Sequence, residues 1–139
     1  AVVIPNGVDI KKFENTAPHA SREKIVLITT SRLVEKNAVG DVIEAMKFLP
    51  ENVIFKILGS GPLEKELKLK ARSLKLEARV EFLGEISHAE LPPYLHDADI
   101  FIRPSLSEGQ GVSFMEAMAA GLPVIATPVG GIPDFLKDP

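Results

Sequence analysis

Apolar positions along this chain come in two patterns that alternate from end to end. Ile25 to Thr30 is a short β-branched run, which predicts a buried strand. From Val39 the pattern changes to Val42, Ile43, Met46 and Leu49, the stripe of an amphipathic helix closed by Pro50 and Asn52. Val53 to Leu58 is a second strand, followed by a tight Gly59-Ser60-Gly61 turn. Pro62 then suits the first position of a helix whose inner stripe is Leu63, Leu67, Ala71 and Leu74. Lys65, Lys68, Lys70, Arg72 and Lys75 fall mostly off that stripe and read as a solvated face. Val80 to Leu83 predicts a third strand ending at Gly84. Ser87-His88-Ala89-Glu90 matches a capping box, with Leu91, Tyr94, Leu95 and Ala98 behind it at helical spacing. Asp99 to Ile102 is a fourth strand stopped by Pro104. Val112 to Ala120 is a helix of small and apolar residues ended by Gly121. Pro123 to Thr127 is a fifth strand, and a last helix can start at Ile132. Val2 to Ile4 looks like a short strand before the Pro5-Asn6-Gly7 turn, and residues 14–23 read as a loop containing Pro18.

Alternating strands and helices predict an α/β fold, a doubly wound parallel sheet with helices on both faces. The chain has 139 residues and a 45% apolar fraction, enough for one domain with a core. A net charge of −3 argues against a nucleic-acid partner. Without cysteine there is neither a disulfide framework nor a thiolate metal site. No apolar run approaches the roughly 20 residues that span a bilayer, so no transmembrane segment is expected. His19, His88 and His96 are scattered without ligand spacing, and no metal site is expected.

Ligands of open α/β sheets bind beyond the carboxyl ends of the strands. Collected there are Arg32 and Lys36 after the first strand and Gly59-Ser60-Gly61 after the second. Gly84, Glu85 and Ile86 follow the third strand, and Ser105, Ser107, Glu108 and two glycines the fourth. Thr127, Gly130 and Gly131 follow the fifth. Two cations, glycine turns and a helix start near Gly111 suit a phosphorylated ligand. Carboxylates suit sugar hydroxyls, because an ionised Glu accepts hydrogen bonds on both oxygens. Glu116 stands on an otherwise apolar helix, where a half-buried carboxylate is costly unless paired, and this favours a functional role. Arg32 and Lys36 taken alone fit a surface ion-pair set equally well, and the Gly-Ser-Gly turn alone is a weak signal.

The run from Pro104 to Asp134, PSLSEGQGVSFMEAMAAGLPVIATPVGGIPD, resembles the signature of the group 1, or family 4, glycosyltransferases. Its mark is two glutamates separated by seven residues, here Glu108 and Glu116, followed by an alanine-rich helix and G-x-P-V. VVIPNGVD (2–9), SRLVEK (31–36), LGSGP (58–62) and VEFLGEI (80–86) match in the same order, so the resemblance covers nearly the whole chain. It implies a Rossmann-like domain forming one half of the GT-B architecture, the C-terminal half that binds a nucleoside-diphosphate sugar such as a UDP or GDP conjugate. Residues 1–13 would be an interdomain hinge and turn segment, 14–24 a loop, and 25–139 the nucleotide-sugar-binding domain, truncated at its C-terminal end.

By the same resemblance, Arg32 and Lys36 would grip the diphosphate and Glu116 the ribose hydroxyls. Glu108 would hold the donor sugar, helped by Gly109, Gln110, Gly111 and Val112. Ile86 would lie by the base, and Gly59 and Gly61 would shape the turn nearby. Arg32, Lys36 and Glu108 would carry the catalytic role in a retaining transfer that uses no metal or other cofactor. The partner implied is an N-terminal acceptor domain of the same protein, and without it the fragment is expected to bind nucleotide sugar but not to transfer. Surfaces left open by truncation could drive self-association. A cytoplasmic location is implied, with peripheral membrane contact left open. The sequence departs from the family at Gln110, where an aromatic is usual, at Asn37-Ala38, where Lys-Gly is usual, and at Asp134, where Glu is usual. Ala38 bears on the phosphate loop, since alanine takes positive φ less cheaply than glycine. Other readings are a nucleotide-sugar-binding module without chemistry, half of a sugar-nucleotide epimerase, and a flavodoxin-like receiver; the last would want an acidic cluster where Arg32 and Lys36 stand.

Overall fold

A strand that is apolar on both faces has to be covered on both, and this requirement organises the sheet. The computed structural model describes residues 7–15 and 23–136; the predicted strand Val2–Ile4, Pro5, Asn6, Pro18 and His19 lie outside the described residues. Five strands, β1 (Ile25–Thr30), β2 (Val53–Leu58), β3 (Val80–Gly84), β4 (Ile100–Arg103) and β5 (Val124–Ala126), form one sheet in the order β3-β2-β1-β4-β5. Every pairing is parallel; β1 runs in register with β2 from Ile25↔Val53 to Thr30↔Leu58, and with β4 at Leu27↔Ile100 and Ile28↔Phe101. The helices are α1 (Ile10–Phe13), α2 (Val39–Met46), α3 (Glu64–Ser73), α4 (Leu91–His96), α5 (Val112–Ala119) and α6 (Ile132–Phe135).

The period of two along β1 divides the core. Val26 and Ile28 join one cluster with Phe13, Leu91, Leu95, Phe101 and Phe114, under α1, α4 and α5. Leu27 joins the other with Val42, Ile43, Phe55, Ile57 and Leu67, under α2 and α3. The chain therefore covers one face on the way out to β3, then crosses to the other face before β4. The strand order reverses between β1 and β4, and the crevice at their carboxyl ends is the topological switch point of such a sheet. The predicted doubly wound fold is the observed one.

Differences from the predicted elements have local causes. Helix α2 ends at Met46, three residues short of the predicted stripe, and Leu49 is left 37% exposed. Helix α3 begins at Glu64, because Pro62 and Leu63 form a turn whose Gly61 carbonyl accepts the Glu64 N–H at 3.2 Å. The Ser87–Glu90 box closes through the side chains, Ser87 Oγ donating to Glu90 Oε2 at 2.7 Å, and α4 starts only at Leu91. Strand β4 starts at Ile100 because Asp99 is a cap: its carboxylate accepts the Val26 N–H at 2.7 Å. The segment predicted as hinge and turn contains α1, whose Phe13 is 1% exposed and belongs to the core.

Phe101 packs edge-on against Phe114, with ring centroids 5.2 Å apart, and both are fully buried. Phe101→Ala is expected to cost about 3–5 kcal/mol in urea unfolding, whereas Phe48→Ala, at an 81% exposed position, should change stability by less than about 0.5 kcal/mol.

Candidate functional site

At the carboxyl end of β1 the backbone leaves the sheet through Ser31 and Arg32, and at that of β2 through Gly59 and Ser60. Gly59 has φ of +136°, and a Cβ there would lie 1.8 Å from the Ser31 carbonyl oxygen, so the two loops can pass each other only with glycine at this point. Beyond them opens a cavity of about 360 Å³. Its walls include Arg32 after β1, Gly59 after β2, Glu85 and Ile86 after β3, His88 from the turn before α4, and Ser113 and Glu116 from α5. The predicted residues Arg32, Gly59, Ile86 and Glu116 thus meet in one place.

Arg32 is exposed, and its guanidinium makes no ion pair or hydrogen bond with another described residue. Glu116 is its opposite: only 8% exposed, yet part of the cavity wall. Its burial cost is met by His88, whose Nε2 lies 2.9 Å from Glu116 Oε1. Residue separation hid this contact from the sequence, where His88 was legible only as part of a capping box.

Glu108 does not line this cavity and is held next to it. Its Oε1 pairs with Arg103 Nη2 at 2.7 Å and accepts Ser105 Oγ–H at 2.8 Å, with both charged side chains below 10% exposure. Arg103 Nη1 donates to the Thr30 carbonyl at 2.8 Å, and the guanidinium stacks over the Phe114 ring at 4.6 Å. Burial pushes the Arg103 pKa down, and the charge and hydrogen bond of Glu108 oppose that shift. Sequence reasoning missed Arg103. A signal existed, since it is the one charge in β4, as Glu116 is in α5.

Lys36 lies on a single 3₁₀ turn, Glu35–Asn37, with its side chain exposed and outside the cavity. Its carbonyl accepts the Leu106 N–H at 2.7 Å, which ties the β1 loop to the loop carrying Glu108. Asn37 Nδ2 donates to the Arg32 carbonyl at 2.7 Å and closes the turn. Ala38 is left-handed, with φ of 53°, so the conformation that glycine would supply is present with alanine in it. Gly109, Gln110, Gly111 and Val112 continue the Glu108 loop into α5 and do not line the cavity either. Gly130 and Gly131 brace that loop from outside: the Gly131 N–H donates to the Gly109 carbonyl at 2.7 Å, and a Cβ on Gly130 would fall 1.8 Å from the Glu108 carbonyl oxygen. Gly61 packs on the Leu33 backbone, away from the cavity. Among the described residues no group of three or more acidic or histidine side chains is placed to hold a metal ion.

A parallel, doubly wound sheet with an anion-ready cation and a buried carboxylate at its switch point defines a Rossmann-like domain, the half-unit of the GT-B architecture. Residues 11–139 match the family described as glycosyl transferases group 1. The chain belongs to that family. It is 35% identical over 140 residues to the amylovoran biosynthesis glycosyltransferase AmsK of Erwinia amylovora, covering 94% of this chain and 34% of that protein. The crystal structure of Anabaena HepE in complex with UDP and glucose superposes with a TM-score of 0.88 at 27% identity, covering 99% of this chain and 41% of that one. The C-terminal domain of a group 1 family glycosyl transferase, LpcC, from Francisella tularensis gives a TM-score of 0.83 at 26% identity, covering 95% of this chain and 76% of that domain. The chain thus spans about a third of the length of the curated relative.

Two stability measurements follow from this geometry. Arg103→Met leaves the Glu108 carboxylate buried without its cation and should cost about 3–5 kcal/mol; adding Glu108→Gln should recover part of that loss, and simple additivity in the double variant would refute the coupling. Ala38→Gly removes a left-handed alanine and should raise the unfolding free energy by about 1 kcal/mol.

Proposed function

We propose that this chain is the donor-binding domain of a retaining, hexosyl-type glycosyltransferase acting in carbohydrate biosynthesis, and that the site beyond β1 and α5 takes a nucleoside-diphosphate sugar. The observation that carries the reading is Glu116: a buried carboxylate in the wall of a cavity that also presents the guanidinium of Arg32, which pairs with no other described residue. Such a pair complements a ligand with hydroxyls at one end and phosphates at the other. The HepE complexes, which hold UDP and UDP-glucose on a matching fold, support a uridine nucleotide as the first candidate.

In this reading Glu116 receives the ribose hydroxyls, Ile86 borders the base, and Gly59 lets the backbone approach. Arg32 meets the diphosphate, and Lys36 reaches it as a movable charge from the neighbouring turn. Glu108 orients the donor sugar through Oε2, which has no hydrogen bond to another described residue, with Gly109, Gln110, Gly111 and Val112 lining the sugar's approach. As the glycosidic bond to the β-phosphate breaks, negative charge grows on the leaving oxygen. In this reading Arg32, Lys36 and the N–H groups at the start of α5 stabilise it without a metal ion. Loss of one such donor typically costs roughly 10²–10³ in rate.

The acceptor and its binding domain belong to the whole protein, so transfer by this chain alone is not expected. Ile10 at 64% and Met118 at 41% exposure border an apolar hollow with Val8, Met115 and Phe135, a surface through which the isolated chain would self-associate. We assign the whole protein to the cytoplasm, with peripheral contact at the membrane. No helix among the described residues is long and apolar enough to cross a membrane.

Calorimetric titration with UDP, GDP and ADP tests the reading, with Glu116→Ala and Arg32→Ala alongside. One nucleotide should bind and raise the melting temperature, since a ligand specific for the folded state stabilises it by RT ln(1 + [L]/Kd). Each variant should weaken that binding about tenfold or more, some 1.4 kcal/mol. A folded chain that binds none of the three at ~10 Kd of a typical millimolar site would overturn the assignment.

A further inference from the structure

His88 is placed to do more than neutralise Glu116. Its Nδ1 lies 3.1 Å from Lys12 Nζ, and its Nε2 lies 2.9 Å from Glu116 Oε1. A lysine ammonium only donates, so Nδ1 must be the acceptor and Nε2 must carry the ring proton. The Nε2–H therefore points to the carboxylate, and the tautomer is fixed from outside the cavity. The ring is held on a third side by Phe13, edge-on at 5.4 Å between centroids. Phe13 is in turn fixed by burial at 1% exposure and by its carbonyl, 2.7 Å from His96 Nε2. These contacts fix an imidazole whose side chain is still 56% exposed and which itself lines the cavity.

The consequence falls on Glu116. Oε1 is engaged by His88, while Oε2 makes no hydrogen bond with another described residue. A carboxylate with one oxygen tied has lost its freedom to rotate, and its second oxygen stays available to a ligand. We propose that His88 is a positioning residue, held in its tautomer by Lys12, that orders Glu116 to accept the vicinal diol of a ribonucleotide. The role rests on the donor-site reading and adds to it the device that makes the site selective for ribose. A second-layer group that fixes the tautomer and angle of a binding residue acts through ordering, with no contact of its own to the diol.

The test is a cycle between protein and ligand. UDP and 2′,3′-dideoxy-UDP are titrated into the unmodified chain, His88→Ala, His88→Gln, Glu116→Ala and the double variant His88→Ala/Glu116→Ala. Because His88→Ala strips the buried Glu116 of its partner, that variant should melt lower than the parent chain, and every titration is made at a temperature where circular dichroism shows the variant folded. His88→Ala should weaken UDP about tenfold and leave the dideoxy nucleotide nearly unchanged. Gln, whose amide N–H can stand where Nε2–H does, should restore most of the loss. His88→Ala should add nothing once Glu116 is alanine. Equal weakening of both nucleotides would mean that His88 touches the ligand elsewhere, and unchanged or tighter UDP binding would mean that it does not order Glu116. Either result overturns the inference and leaves the donor site standing, whereas failure of the parent chain to bind UDP at all overturns both.

Discussion

Arg103 ends β4 beside β1, and its guanidinium ties together three parts of the molecule at once. One nitrogen holds the last carbonyl of β1, another holds Glu108 on the loop after β4, and the flat face rests on Phe114 of α5. A parallel sheet whose strand order reverses must open at that point, because neighbouring connections leave in opposite directions. Arg103 bridges from β4 to Thr30, the last residue of β1, which itself lines the cavity. Its Nε is buried without a hydrogen-bond partner among the described residues, so the arrangement accepts an unsatisfied polar atom to keep the geometry. Desolvation of this kind is tolerable for arginine, whose delocalised charge is weakly hydrated and whose fork can serve two acceptors at once.

The site shows a division of labour between charges that are locked and charges that are free. Glu108 and Arg103 are mutually buried, and Glu116 is buried against His88. Arg32 and Lys36 remain in water with no partner among the described residues. Free cations beside fixed carboxylates suit a ligand that differs between its ends. Mobile cations can follow charge that moves during a reaction, and fixed acceptors can read a rigid pattern of hydroxyls. The chain is acidic overall, with a net charge of −3, and the cavity wall sets the single cation Arg32 against Glu85 and Glu116.

Much of the fold was legible because the two hydrophobic periods differ so plainly. Ile25–Thr30 and Val53–Leu58 were predicted to the residue, since an apolar β-branched run bounded by polar residues has one reading. Boundaries blurred where a polar residue served as a cap instead of a strand or helix member, as with Asp99, or where proline shaped a turn ahead of the helix, as with Pro62. Strand order was not legible, because it depends on which helices cover which face. In the site, Arg32, Gly59 and Ile86 could be placed together from the rule about strand ends, and Glu116 stood out as a carboxylate on an apolar helix. The separation of Glu108 and Lys36 from the cavity could not, because loop geometry decides it. Arg103 and His88 escaped for different reasons: one carried the signal of a charge in an apolar strand, unread, and the other is 28 residues from its partner.

The crowding around Gly59 and Gly130 has an evolutionary reading. At each, any side chain would collide with backbone, not with a neighbour able to turn aside. Backbone obstacles cannot be relieved by a compensating substitution elsewhere, so these two positions close off the frame of the pocket to gradual change. Variation in what related domains accept must then be written on the side chains the frame displays, at positions such as Ile86 and Ser113. A lineage built on this scaffold can explore new ligands one wall residue at a time while the loops that carry them stay where they are.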